Sequence, residues 1–187
     1  MPAQRFGGVW QGVQVAHALE MYFDEDADAS VRRLWQRLAD AGVPSLAVRT
    51  HRRHRPHVSL AVAESLAAAD LALLRPVLAA QKPVLHLHVL GTFPGSEGVL
   101  FLGVTVTAQL LAFHRDVHAA LSGQPGEHWP YYLPGRWVPH CMLAEGLDEA
   151  EAAKAFALLL RYEPITATVS SAGINDTRTG EVTLLTA

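Results

Sequence analysis

Apolar positions along the chain switch repeatedly between two rhythms, alternation by two and recurrence at three and four, which mark strands and helices respectively. Residues 9–22 carry a mixed, strand-like pattern with Val13, Val15, Ala18 and Leu19 inward, and the acidic run at 24–28 predicts a polar turn. Val31, Leu34, Trp35 and Leu38 fall at helical spacing over 30–41, with Gly42 as a stop. Residues 45–48 and 55–63 are extended, separated by an Arg/His-rich run. The Ala/Leu-rich stretch 66–80 is helical, although Pro76 within it predicts a kink or break. Over 83–92, Val84, His86, His88 and Leu90 alternate with Leu85, Leu87 and Val89 as a strand; after a Phe-Pro-Gly-Ser turn, 99–106 is a second strand. A helix over 107–121 spaces Leu110, Leu111, Phe113, His114, Val117 and Leu121 along its length, and a loop rich in Pro, Gly and aromatics covers 124–135. Residues 148–162 open on acidic side chains that suit a helix N-terminus. Strands over 164–171 and 181–186 follow, joined by a polar turn with Asn175 and Gly180.

This order is a repeat. RPHVSLA at 55–61 returns as VPHCMLA at 138–144, and Gly42 with Gly123 and Pro83 with Pro164 recur at nearly the same offset. Each half reads strand, helix, motif strand, helix, strand. The simplest architecture is α+β: two pseudo-symmetric lobes whose antiparallel sheets line a central cleft, with helices packed outside. A single bilobal domain over 1–187 is expected, with pseudo-repeats at about 9–92 and 98–172 plus a C-terminal strand. On each motif strand the alternation puts His57 with Ser59, and His140 with Met142, on one face, while Val58, Leu60, Cys141 and Leu143 lie behind. Two imidazoles on equivalent strands are what a paired acid and base need.

Composition narrows the partners. Half of the residues are hydrophobic and 18% are charged, so the chain can bury a core, and a net charge of −3 argues against coating nucleic acid by charge alone. The charge is uneven: residues 1–93 hold ten Lys/Arg against eight Asp/Glu, and 94–187 hold five against ten. Arg49, Arg52, Arg53 and Arg55 sit directly before the first motif and form a basic patch, which could contact an anionic ligand or could equally be a solvated loop. Cys141 is the sole cysteine, which excludes an intrachain disulfide or a cysteine metal cluster. No apolar run reaches the ~20 residues of a bilayer span, and the N-terminus lacks an apolar signal core, so a cytoplasmic location is expected.

The paired motifs, the repeat, PHVSLA, WVPHCMLA and the linking LGTFPGSEGVLFLGV together resemble the 2H phosphoesterase superfamily. Within it the chain is most similar to the bacterial RNA 2′,3′-cyclic phosphodiesterase branch, also called 2′-5′ RNA ligase-like. The resemblance implies His57 and His140 as catalytic residues, with Ser59 donating to a phosphate oxygen. It favours His140 as base and His57 as acid in hydrolysis to a 2′-phosphate, a division the residues alone leave open. It implies RNA with a cyclic-phosphate end, or a small cyclic nucleotide, as substrate, reversible 2′-5′ RNA ligation with a 5′-hydroxyl replacing water, and no metal or other cofactor. The absence of a long apolar run leads to an expectation of no membrane, and the sequence leaves the oligomeric state open, with a monomer favoured.

One position departs from the pattern. Met142 stands where the family has Ser or Thr, and a thioether cannot donate to phosphate. Losing one donor to a charged oxygen costs on the order of 1.5–3 kcal/mol unless other groups, such as Arg136, Tyr131 or Tyr132, replace it. A phosphate- or RNA-binding module with weakened catalysis is therefore the alternative reading. A metal-dependent hydrolase built on His51, His54 and His57 is a third, but that spacing does not set three side chains on one strand face. Tyr131, Tyr132 and Trp137 could stack on a base, Trp137 equally well packing the loop. His114 and His118 could share a helical face and are read as exposed or half-buried side chains in preference to metal ligands; His86 and His88 share a strand face that is read as solvated, although in a cleft they could touch substrate; and Cys141 is expected in the core.

Overall fold

The computed structural model describes residues 16–48, 54–66, 68–94, 98–122 and 128–186. Val9, Val13, Val15, Arg49, His51, Arg52 and Arg53 lie outside these residues. The elements run β1 (His17–Phe23), α1 (Glu25–Asp40), β2 (His57–Ala63), α2 (Ala68–Ala80), β3 (Val84–Gly91), β4 (Leu100–Val104), α3 (Ala108–Ala120), a 3-10 turn (Pro130–Tyr132), β5 (His140–Ala144), α4 (Glu149–Leu159), β6 (Ile165–Asp176) and β7 (Glu181–Thr186). None of the described helices is long and apolar enough to cross a membrane.

The fold is α+β with an antiparallel sheet, as the alternation predicts, but the strands of both halves form one seven-stranded sheet in the order β2-β1-β6-β3-β4-β5, with β7 also on β6. The halves exchange their last strands. β6 pairs with β1 through Val169–Asp176 and with β3 through Ile165–Thr168, while β3 in turn pairs with β4. The edge strands β2 and β5, at opposite ends of this order, contact one another, so the open sheet curls until its two motif strands meet.

Alternation divides the sheet into a core face and a second face. Leu19, Met21, Val58, Leu60, Cys141 and Leu143 join the main core under the helices, where Val31, Trp35 and Leu38 of α1 also lie. Glu20, Tyr22, His57, Ser59, His140 and Met142 occupy the intervening positions. Trp35 reaches back through the core to donate to the Met142 carbonyl at 3.0 Å, fixing β5 to α1.

Three local expectations are corrected. The acidic run at 24–28 is not a turn but the start of α1: Asp24 is the N-cap, accepting from the Ala27 N–H, and Glu25, Asp26 and Asp28 complement the positive end of the helix. α2 continues through Pro76, because one missing N–H is outweighed by burial of Leu74 and Leu78 on either side of it. Ser45 makes only a single bridge, to Ala144, with its hydroxyl bonded to the Trp35 carbonyl, and a turn follows instead of a strand.

Candidate active site

Both motif histidines are held in the same way. His57 Nδ1 lies 2.7 Å from the Arg55 carbonyl and His140 Nδ1 lies 2.7 Å from the Val138 carbonyl, each two residues back across a proline. Proline restricts the residue before it to extended conformations and fixes its own φ, which aims that carbonyl at the imidazole. A carbonyl can only accept, so Nδ1 carries the proton in both rings and Nε2 is the nitrogen left for chemistry. The two tethered rings are close enough for the charge of one to act on the other.

Their surroundings differ. Across the β1–β2 ladder Tyr22 is opposite His57 and Glu20 is opposite Ser59. Glu20 is 3% exposed, an unusual depth for a carboxylate. It accepts from the Tyr22 hydroxyl at 2.7 Å and from Asn175 Nδ2 at 3.0 Å, and its Oε1 lies 3.4 Å from His57 Nε2. The Arg55 guanidinium stacks 4.3 Å above the Tyr22 ring. Burial, reinforced by the Glu20 charge, drives the Tyr22 phenol well above its ordinary range, and the same two causes push Tyr132 up to about 12. Both stay neutral donors at any pH where an imidazole titrates.

His140 sits among rings instead of charges. Phe93 and Phe101 are each 5.1 Å from it by ring centroid and 4.5 Å from one another. Gly91 makes this possible: a Cβ there would come within 2.6 Å of the Phe101 ring. Burial lowers the His140 pKa, the nearby His57 lowers it further, and the bond to the Val138 carbonyl opposes the shift. Met142, half-buried on the same strand face, is opposite Phe101. Cys141 is in the core with its thiol pushed up to about 12 by burial, which leaves no thiolate for attack.

The gap between β2 and β5 is tied by the segment before β5 and by α3. The Trp137 indole donates to the Ser59 carbonyl at 2.9 Å, and His114 and His118 both place Nε2 at 3.1 Å from the Leu60 carbonyl. Trp137 stacks flat on His114, with centroids 4.0 Å apart, so it packs the loop and is not available to a base. His114 is buried, not half-exposed, because its bond to the strand substitutes for water. Thus His57, Ser59, Arg55 and Tyr132 gather on one side of the site and His140 and Met142 on the other. Tyr131 and Arg136 are exposed and pair with each other, the guanidinium 5.4 Å above the ring.

Sequence reasoning missed Glu20, Tyr22, Asn175, Phe93 and Phe101 as site residues. The available signal was Glu20 itself, the one acid in the largely apolar strand HALEMYF.

Two histidines, tethered alike, thus stand on two strands that contact one another. The model of the 2′-5′ RNA ligase superfamily matches residues 23–181. The chain belongs to that superfamily, the 2H phosphoesterases. No curated protein sequence matches it. Among solved structures it is similar in fold to TT0787 of Thermus thermophilus, with 14% identity and a TM-score of 0.56 over 91% of this chain and 94% of that one. It is also similar to the PDE domain of MHV ns2, with 15% identity and a TM-score of 0.54 over 91% and 98%.

Proposed function

We propose that the chain is a cyclic phosphodiesterase that opens 2′,3′-cyclic phosphates on RNA ends or small nucleotides to 2′-phosphates. The observation that supports this most is the matched tethering of His57 and His140, which leaves Nε2 of each ring free for proton transfer. His140, kept neutral by burial and by the charge of its partner, takes a proton from water through Nε2. The water oxygen bonds to phosphorus as the bond to O3′ breaks, and His57 passes its Nε2 proton to the departing O3′. The aromatic rings around His140 and the carboxylate beside His57 support assigning His140 as the base and His57 as the acid.

Ser59 donates to a non-bridging oxygen, and Arg55 adds positive charge nearby. Tyr132 supports that half of the site, while Tyr131 and Arg136 meet the substrate. Both proton transfers use side chains, so the scheme calls for no metal or other cofactor. With a 5′-hydroxyl attacking in place of water, the same opening of the P–O3′ bond joins RNA ends through a 2′-5′ linkage, and the step is reversible.

Met142 favours a second reading, a binding module that keeps the cleft and has lost efficient turnover. The two are separated by incubating the protein, in chelator, with a panel of 2′,3′-cyclic nucleotides and cyclic-phosphate-ended RNAs and locating the product phosphate. Products bearing a 2′-phosphate are expected. Binding without turnover supports the module, and a 3′-phosphate product contradicts the proposed bond cleavage.

A further inference from the structure

Glu20 has no place in the two-histidine scheme, yet it is a carboxylate buried beside the working nitrogen of His57. Burying an anion without a cation is unfavourable, and a Glu at this depth requires compensation. Its two hydrogen-bond donors, Tyr22 and Asn175, are neutral. The groups facing the Glu20–His57 pair are Tyr22 from the same strand, Arg55 from the approach to β2, Tyr132 from the 3-10 turn, Asn175 from β6, and His140 with Cys141 from β5. Among the described residues around it, Arg55 is engaged on the Tyr22 ring, and the group at ion-pair distance from the carboxylate is the His57 ring.

The contact is 3.4 Å, longer than the 2.7–2.9 Å of a tight charge-assisted hydrogen bond. An anion at this distance favours a charged ring without locking its proton, so a substrate oxygen can still take it. Tyr22 and Asn175 hold the carboxylate from its other sides, and Asn175 bonds the same oxygen, Oε1, that faces His57. Because Nδ1–H is already committed to the Arg55 carbonyl, any second proton on His57 resides on Nε2, opposite Glu20.

We infer that Glu20 is a positioning residue that keeps His57 in its doubly protonated, proton-donating form, with Asn175 setting how much of the carboxylate's charge the ring feels. The inference deepens the proposed acid role of His57 and rests on it for its consequence in turnover. The site is asymmetric in this respect: one histidine faces a carboxylate, and its equivalent faces Phe93 and Phe101.

The test is a ring-resonance NMR titration of the full chain without substrate, in wild type, Glu20→Gln and Asn175→Ala, read at His57 and His140. Glu20→Gln is expected to move the His57 midpoint down by about one pH unit or more, the range for loss of an opposite charge within 4–6 Å. His140, relieved of its neighbour's charge, should move slightly up. Asn175→Ala should move His57 up, because the carboxylate shares less of its charge; this variant decides the matter if Glu20→Gln fails to fold. An unchanged or raised His57 midpoint in folded Glu20→Gln, or an unchanged or lowered one in Asn175→Ala, overturns the inference. Since no turnover is read, a chain inactive on cyclic phosphates still gives a result. In an active chain, the alkaline limb of the pH profile of kcat/KM should fall with the His57 midpoint.

Discussion

The Trp137 indole N–H donates to the Ser59 carbonyl at 2.9 Å, joining the approach to one histidine to the strand that carries the other. β2 and β5 are edge strands, so no ladder of backbone bonds fixes their separation. Trp137→Phe keeps the stack on His114 but leaves the Ser59 carbonyl without this donor. Stability should fall by about 1–3 kcal/mol, the cost of an unmade buried hydrogen bond, as measured by urea unfolding. Turnover of a cyclic nucleotide should fall more than binding does, since the distance between the two rings matters most during reaction.

The pair His114 and His118 makes the fold sensitive to acid. Burial, added to by the neighbouring His118, lowers His114 from its ordinary 6.5 to about 4, and His118 is lowered for the same first reason. Between the folded and unfolded values the unfolded chain binds more protons, so the stabilisation is complete above pH 6.5 and is lost as pH falls toward 4. The urea midpoint should therefore drop over that window. His114→Gln should flatten the dependence, leaving the part that His118 carries; an equally steep one would place the sensitivity in His118 or, beyond the pair, in His140.

Gly91 is expected to resist even alanine. The added Cβ would lie 2.6 Å from the Phe101 ring, and that ring is wedged between Phe93 and His140. Gly91→Ala should cost about 1–3 kcal/mol, as overpacking does, and lower turnover through His140; the two are read from urea unfolding and initial rates.

Met142→Thr returns a hydroxyl to the face of β5 that carries His140. If phosphate binding lacks a donor there, KM should improve by roughly tenfold, in keeping with about 1.5 kcal/mol for a hydrogen bond to a charged group. No gain in steady-state kinetics would mean that another group already supplies it.

Much of this was legible in the sequence for a physical reason: strand alternation and helical spacing are written residue by residue, and the repeated Pro-His pair carries its own tether. The order of strand, helix, motif strand, helix, strand is found in both halves. What sequence could not show was pairing between distant segments. That Glu20 stands opposite Ser59 depends on the β1–β2 register and its bulge, and that Asn175 reaches Glu20 depends on β6 crossing to the other half. The start of α1 was missed because an acidic run looks the same in a turn and in a helix's first turn. His114 and His118 looked incidental because their partner, the Leu60 carbonyl, is a backbone atom of a remote strand.

The most direct measurement is hydrolysis of a 2′,3′-cyclic nucleotide by His57→Ala and His140→Ala, each shown to be folded by circular dichroism. Removing either proton-transfer group is expected to cut turnover by about 10²–10⁴-fold, with substrate binding largely kept. Normal turnover in either folded variant would contradict the shared acid–base role of the two histidines.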